Sequence, residues 1–216
     1  MNRTRIDWCD YSWNPVTGCL HGCWYCYARK LFTRFHKPFT PLFYPERLKE
    51  PWELKKPSKI FVCSVADLFA PWMPTEWRDA VLQSIFECPV KHTFQLLTKN
   101  PERIPPIHFP DNVWVGATVT NEGGDWKNID YIRRVKVSVK FVSFEPLLGK
   151  LPDEICLDGV DWVVIGKLTG SRRVKLDTYW VAHIKNEAER HNIPIFMKFN
   201  LCPPLEKSDL IQEFPK

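Results

Sequence analysis

No apolar run in the 216-residue chain approaches the roughly 20 residues that a bilayer-spanning helix requires. The longest, such as "WVVIG" and "IFV", are strand-sized. The opening stretch, "MNRTRIDWCDYSW", has no basic segment followed by an apolar one, so no export leader is read there. The expectation is a cytoplasmic protein with no membrane partner. The chain also lacks internal repeats and low-complexity segments, which excludes solenoids and disordered tails. It lacks a strong charge of either sign. A net +5 does not by itself argue for nucleic acid. What remains, 44% hydrophobic and 25% charged, is ordinary for a globular chain long enough to bury a core as a single domain, 1–216.

Basic residues do gather locally, at Arg29, Lys30, Arg34 and Lys37, at Arg133, Arg134 and Lys136, and at Arg172, Arg173 and Lys175. Solvated helix faces and loops are the plainer reading, and a phosphate-contacting surface the sharper one.

Eight cysteines in a cytoplasmic chain point to metal or catalysis before disulfides. Cys63, Cys88 and Cys156 sit in apolar contexts and read as buried core residues. Cys9 and Cys202 are left unassigned. Cys19, Cys23 and Cys26 fall in "TGCLHGCWYCYARK" with C-x3-C-x2-C spacing. A disulfide uses two thiols and a closed zinc site uses four. Three thiolates suit a four-iron, four-sulfur cube, holding three corners and leaving one iron open. Gly22 is expected to take a positive φ or let the backbone approach closely, and Trp24, Tyr25 and Tyr27 to shield the site. His21, inside the loop, reads as a partly exposed histidine of no special role. "YARKLFTRF" reads as a helix starting at the site.

Apolar β-branched runs then alternate with helical patterns. Strands are expected at 59–65, 92–99, 113–120, 140–147, 161–166 and 193–200. Helices are expected at 74–88, with Thr75 as cap and Trp77, Val81 and Ile85 on one face, at 126–135, and at 177–192 with an Asp177 cap. The proline-rich stretch 38–58 reads as an ordered surface connection. Alternating strands and helices imply βαβ units and a parallel sheet. About six parallel strands in this length fit an α/β fold of the incomplete (β/α) barrel type better than a complete eight-unit barrel. A doubly wound sheet is the alternative.

In such a fold the chemistry gathers at the C-terminal ends of the strands. Polar residues expected there are Asp67, Thr98, Lys99, Thr118, Thr120, Asn121, Ser143, Glu145, Lys167, Lys198 and Asn200. Each has a bland reading as a cap, turn former or solvated charge. Glu145 is the strongest, because an acid ending an apolar strand is poorly explained by packing. The bland reading for Lys99 and Lys198 is an ion pair with Glu145 or Asp67.

The cysteine spacing is the signature of the radical SAM superfamily. The chain further resembles the phage-associated three-cysteine-motif proteins in "IDWCDYSWNPVTGC", "CYARK", "VADLFAPWMP", "FQLLTKNPERI", "VWVGATVTNE", "FVSFEPLLGKL", "DWVVIG" and "IPIFMKFN". The resemblance implies a [4Fe-4S] cluster on Cys19, Cys23 and Cys26, and S-adenosylmethionine (SAM) on the open iron. It implies a reductase for the cluster and a separately encoded partner protein. SAM contacts are assigned on this basis to Ser64, Asp67, Lys99, Thr118, Ser143, Glu145 and Lys198. Two departures stand out. "GKLTG" (166–170) replaces a glycine-rich acidic turn with Lys167 and no acid, and "SVADLF" stands where a Gly-Gly-Glu stretch is expected. The substrate is open, with a lean to nucleic acid. Two rivals remain: a zinc site that recruits Cys9 as fourth thiolate, and a cluster-bearing module that binds nucleic acid or protein without turning over SAM.

Overall fold

The computed structural model describes residues 1–170 and 174–216, so Arg172 and Arg173 lie outside the described residues. Two compact units divide the chain, Met1–Thr98 and Lys99–Lys216. Among the described residues no helix is long and apolar enough to cross a membrane.

The first unit runs β1 (Asn2–Arg3), β2 (Tyr11–Trp13), β3 (Val16–Thr17), α1 (Tyr27–Arg34), β4 (Leu42–Phe43), β5 (Lys59–Val62), α2 (Thr75–Phe86) and β6 (Thr93–Thr98). Strands β2, β5 and β6 are parallel neighbours, in register at Trp13↔Val62↔Leu96. Strand β1 pairs antiparallel with β2 and covers its free edge. β3 and β4 form a separate antiparallel pair, Val16↔Phe43 and Thr17↔Leu42. The 38–58 stretch contributes β4 and two short 3-10 turns, Pro45–Arg47 and Glu50–Glu53, and is ordered as expected. Its carbonyls receive the indole N–H of Trp13 (to Arg47 O, 2.8 Å) and the hydroxyl of Ser84 (to Leu48 O, 2.5 Å). Trp8, Trp13, Ile60, Val81, Ile85, Phe94 and Leu96 make the core. Helix α2 begins one residue earlier than its cap signal. Pro74, not Thr75, occupies the cap position, with no side-chain hydrogen bond, because Thr75 has already turned helical. Trp77 is half-buried and stacks on Phe43 at 5.5 Å.

The second unit runs β7 (Val113–Thr118), α3 (Asn128–Ile132), β8 (Val139–Leu147), β9 (Trp162–Lys167), α4 (Thr178–Arg190) and β10 (Ile195–Met197). These four strands pair in sequence order and all in parallel. The apolar runs are buried on both faces, as a helix-covered parallel sheet requires. Trp162 is fully buried among Trp114, Phe141, Phe196 and Phe214, with ring centroids 5.4–6.1 Å away, and its indole N–H donates to Glu213 O at 2.8 Å. The C-terminal segment lies along β10, with Met197 N donating to Ile211 O at 2.7 Å and Glu213 N to Ile195 O at 2.8 Å. The Asp177 carboxylate caps α4 through Tyr179 N, as its sequence position predicts.

Of the three cysteines read as core, Cys63 is buried, Cys88 half-buried and Cys156 exposed. The segment around Cys156 buries alternate residues, Ile155 and Leu157, and so turns Cys156 outward. Apolar neighbours in sequence were a misleading signal, because an extended chain alternates faces.

Candidate metal centre and strand-end groups

The three-cysteine loop joins β3 to α1. Its start is clamped: Gly18 N donates to Val65 O at 3.1 Å and Cys19 N to Phe39 O at 3.2 Å. Gly18 has φ +85°, and a Cβ there would stand 2.1 Å from Thr40 O. Only glycine allows both the left-handed turn and that approach. Gly22 also takes a positive φ, +70°, as expected, and lets the chain reverse between Cys19 and Cys23.

Cys26 N donates to Cys23 O at 3.1 Å, and the Cys26 sulfur caps α1 by accepting from Arg29 N at 3.3 Å. The third thiol thus sits at the positive end of the helix dipole, where a thiolate or an anionic cluster is favoured. The Arg29 guanidinium reaches back to Cys19 O at 3.0 Å and packs 5.1 Å over the Phe39 ring. Trp24 and Tyr25 pack edge to face at 5.4 Å beside the thiols. All three cysteines are half-buried and free of disulfides.

Burial pushes the Cys19 thiol up to about 11, opposed by the His21 backbone hydrogen bond and reinforced by Asp67, Cys23 and Cys26. A positively charged metal centre is what would remove that proton at neutral pH. Among the described residues, the one set of three metal-ligating side chains whose ligand atoms lie within 4.8 Å of one another is Cys156, Glu187 and His191. Three thiolates from one loop suit a cube, where each thiolate binds a different iron. Cys9, the candidate fourth ligand of a zinc site, is buried before β2 with its thiol directed to Ile6 O at 3.8 Å.

His21 is not the idle loop residue its sequence context suggests. Its Nε2 meets Asp67 Oδ2 at 2.9 Å, and its ring packs edge-on against Trp72 at 4.6 Å. Asp67 is buried, and its Oδ1 accepts from Thr98 Oγ1 at 2.6 Å and from Phe69 N at 3.1 Å. One carboxylate thereby ties the cysteine loop to the segment after β5 and to the end of β6. Ser64 lies beside it. Its hydroxyl donates to Asn14 Oδ1 at 3.2 Å, its carbonyl accepts from the Tyr27 hydroxyl, and Val65 N also donates to Asn14 Oδ1 at 3.2 Å. Cys63, at the strand end, has a left-handed backbone, φ 55°. The sequence carries no glycine to announce that turn, so the surrounding structure must impose it. Asn14 and Arg29 are organising residues that sequence reasoning missed. The only signal for Asn14 was its place before Pro15.

In the second unit Thr118, Glu145 and Lys198 fall at or near C-terminal strand ends, whereas Ser143 sits in the middle of β8. Thr118 closes β7, is buried, and pairs in register with Ser143. Asn128, at the start of α3, donates to Thr118 O at 3.0 Å and Lys99 O at 3.4 Å. The Ser143 hydroxyl is fully buried and has no hydrogen-bond partner among the described residues. Glu145 Oε1 accepts from Lys198 Nζ, so the ion pair offered as the plainer reading of Lys198 is present. A register shift lies between Phe144 and Leu147, where the β8–β9 ladder is interrupted around Glu145. Gly166 makes room for this acid. A Cβ there would stand 3.0 Å from the Glu145 carboxylate. Asn200 pairs with the backbone of Lys167 in both directions, 3.0 and 3.3 Å, and Lys167 Nζ donates to Pro203 O. Asn200 and Lys167 therefore fasten the end of β9 to the turn after β10. Thr120 and Asn121 are similarly occupied, binding the Asp125 carboxylate at 2.7–2.8 Å.

A family model described as "Protein of unknown function (DUF5131)" matches residues 3–200. The chain belongs to that family. The match takes in the cysteine loop and every assigned strand-end residue of this DUF5131 member, and stops short of the segment along β10. No curated protein matches its sequence. Among solved structures, a point mutant of spore photoproduct lyase is similar with a TM-score of 0.63 at 8% identity, covering 91% of this chain and 78% of that one. Spore photoproduct lyase complexed with dinucleoside spore photoproduct is similar with a TM-score of 0.60 at 9% identity and the same coverage. At such identity the likeness is one of fold. It is the α/β, incomplete (β/α) barrel that the sequence implied, with seven strands in parallel pairs among the described residues against about six expected.

Proposed function

We propose that the chain is a radical SAM enzyme whose cluster is held by Cys19, Cys23 and Cys26. The observation that carries this reading is the loop itself: three free, half-buried thiols within eight residues, the third capping a helix. The shared fold supports it. A [4Fe-4S] cluster held by these three thiolates would leave one iron open to SAM and would supply one-electron reductive cleavage of it.

The chain's own residues have separable tasks. Asp67 and His21 brace the loop that carries the thiols. Trp24 and Tyr25 limit water near them. Ser64, Asp67, Lys99, Thr118, Ser143, Glu145 and Lys198 are the proposed contacts to SAM. Glu145 and Lys198 hold each other in place, acid and base ready for the amino and carboxylate groups of a methionine moiety. Buried Ser143 brings a hydroxyl that lacks a partner, and a buried donor of that kind gains most from a ligand.

The substrate is proposed to be a nucleic acid. Helix α1 presents Lys30 and Arg34, both exposed, beside an exposed stripe of Tyr27, Leu31 and Phe35 at helical spacing, while Arg29 is engaged by Cys19 O and the Phe39 ring. Cations for phosphates next to rings for bases is the chemistry of single-strand binding. The structural likeness to a lyase complexed with a dinucleoside photoproduct agrees with it. Of the second basic group, Arg133 is committed internally to Asp130, Cys156 O and Asp158 O.

The test is anaerobic reconstitution with iron and sulfide, followed by electron paramagnetic resonance with and without SAM. The expected result is a cluster signal perturbed by SAM and release of 5′-deoxyadenosine on reduction. Purification with stoichiometric zinc and no cluster, or a cluster whose spectrum ignores SAM, refutes the proposal.

A further inference from the structure

Away from the strand ends, the connection between β8 and β9 meets the last turn of α4. Cys156, Glu187 and His191 each offer one ligand atom there, all within 4.8 Å of one another. Glu187 and His191 stand four residues apart on the same helix face. His191 Nε2 faces Glu187 Oε1 at 3.1 Å. Glu187 is buried, and Oε1 also accepts from Leu157 N at 3.3 Å, the residue beside Cys156. Its other oxygen meets the largely exposed Arg190 at 2.8 Å. The remaining ring nitrogen of His191 looks to Asp158 Oδ1 at 3.9 Å. Arg133 holds the loop in place by donating to Cys156 O and Asp158 O.

We propose that Cys156 Sγ, Glu187 Oε1 and His191 Nε2 form a binding site for a divalent transition metal of the zinc class. A thiolate, an imidazole and a carboxylate are the donor set for zinc, whereas magnesium and calcium demand oxygen alone. Thiolate and carboxylate together neutralise the ion's two charges. Exposed Asp158, 3.9 Å from Nδ1 and so outside hydrogen-bond reach, is the carboxylate nearest to that nitrogen and would hold the Nδ1 proton of a metal-bound histidine once the triad tightens. Ligand atoms around tetrahedral zinc stand about 3.5 Å apart, so the triad must tighten by about an ångström. Exposed Cys156 is free to make that movement and gives the ion its path in. On binding, the His191–Glu187 hydrogen bond gives way to two metal bonds: the Nε2 proton leaves to solvent and the ring carries its proton on Nδ1, while Cys156 releases its thiol proton to solvent. Three protein ligands leave a fourth position for water.

The site is independent of the cysteine loop, and the test separates them. Cys19, Cys23 and Cys26 are first replaced by Ala, because those thiols bind the same ions. Co2+ titration of this full-length variant is expected to give one equivalent with a thiolate-to-cobalt charge-transfer band. Adding Cys156→Ser is expected to abolish the band, and His191→Gln to weaken binding about tenfold or more. In the unaltered chain, Zn2+ is expected to protect Cys156 from iodoacetamide, read by peptide mapping. Absence of the band in the background variant, its persistence after Cys156→Ser, or alkylation of Cys156 at an unchanged rate with Zn2+ overturns the assignment.

Discussion

Replacing Asp67 tests how the cysteine loop is held. Its buried carboxylate receives Thr98 Oγ1 and Phe69 N on one oxygen and faces His21 Nε2 with the other. Asp67→Ala removes all three and strands buried donors. At about 1–3 kcal/mol for each group left unsatisfied, the loss is about 3–5 kcal/mol. In a chain of this length that lowers Tm by about 10 °C. Asp67→Asn keeps the oxygen that serves Thr98 and Phe69 and alters only the atom facing His21, so it is expected to cost about 1–2 kcal/mol. His21→Ala is expected to match Asp67→Asn, and the double variant to cost less than the sum of the two, because both remove one contact. Tm by circular dichroism reads stability, and iron content after reconstitution reads the loop. Iron is expected to fall in all three single variants, most in Asp67→Ala. Equal Tm for Asp67→Asn and Asp67→Ala, or additive losses in the double variant, refutes the bracing role.

Four further outcomes follow from particular contacts. Gly18→Ala meets both the left-handed φ and the Thr40 carbonyl, so it is expected to abolish cluster loading, measured as iron per chain. Gly166→Ala pushes the Glu145 carboxylate off its seat and is expected to weaken SAM binding while costing about 1–3 kcal/mol by denaturant titration. Burial pushes the Cys63 thiol up to about 12. It should resist iodoacetamide at pH 8 in the folded chain, and because its folded pKa is raised, its contribution to stability is intact below about pH 9 and lost as pH climbs toward 12. Paired Lys30→Ala and Arg34→Ala changes are expected to reduce the slope of log affinity for single-stranded oligonucleotide against log salt by about 0.7 for each phosphate contact removed; an unchanged slope excludes α1 from the interface.

Much of the fold could be read from periodicity, because a buried parallel strand and an amphipathic helix write different repeats. Strand β9 appeared as "DWVVIG" and α4 as an Asp-capped run for that reason. Errors came where one residue's surroundings decide. Thr75 had the chemistry of a cap, but Pro74 holds the cap position and Thr75 is the first helical residue. Cys156 had apolar neighbours and still faces solvent, because the extended chain there points it away from Ile155 and Leu157.

The candidate site divides in the same way. The C-x3-C-x2-C spacing, Gly22 and the helix after Cys26 were local, within the reach of a few bonds, and sequence alone was enough to raise a three-thiolate centre. That His21 pairs with Asp67 across 46 positions, that Asn14 receives Ser64, that Glu145 pairs with Lys198 over Gly166, and that Cys156 meets Glu187 and His191 were decided only by tertiary folding. Side-chain contacts between distant positions depend on strand register and on the rotation of each helix about its axis. No local propensity encodes either quantity.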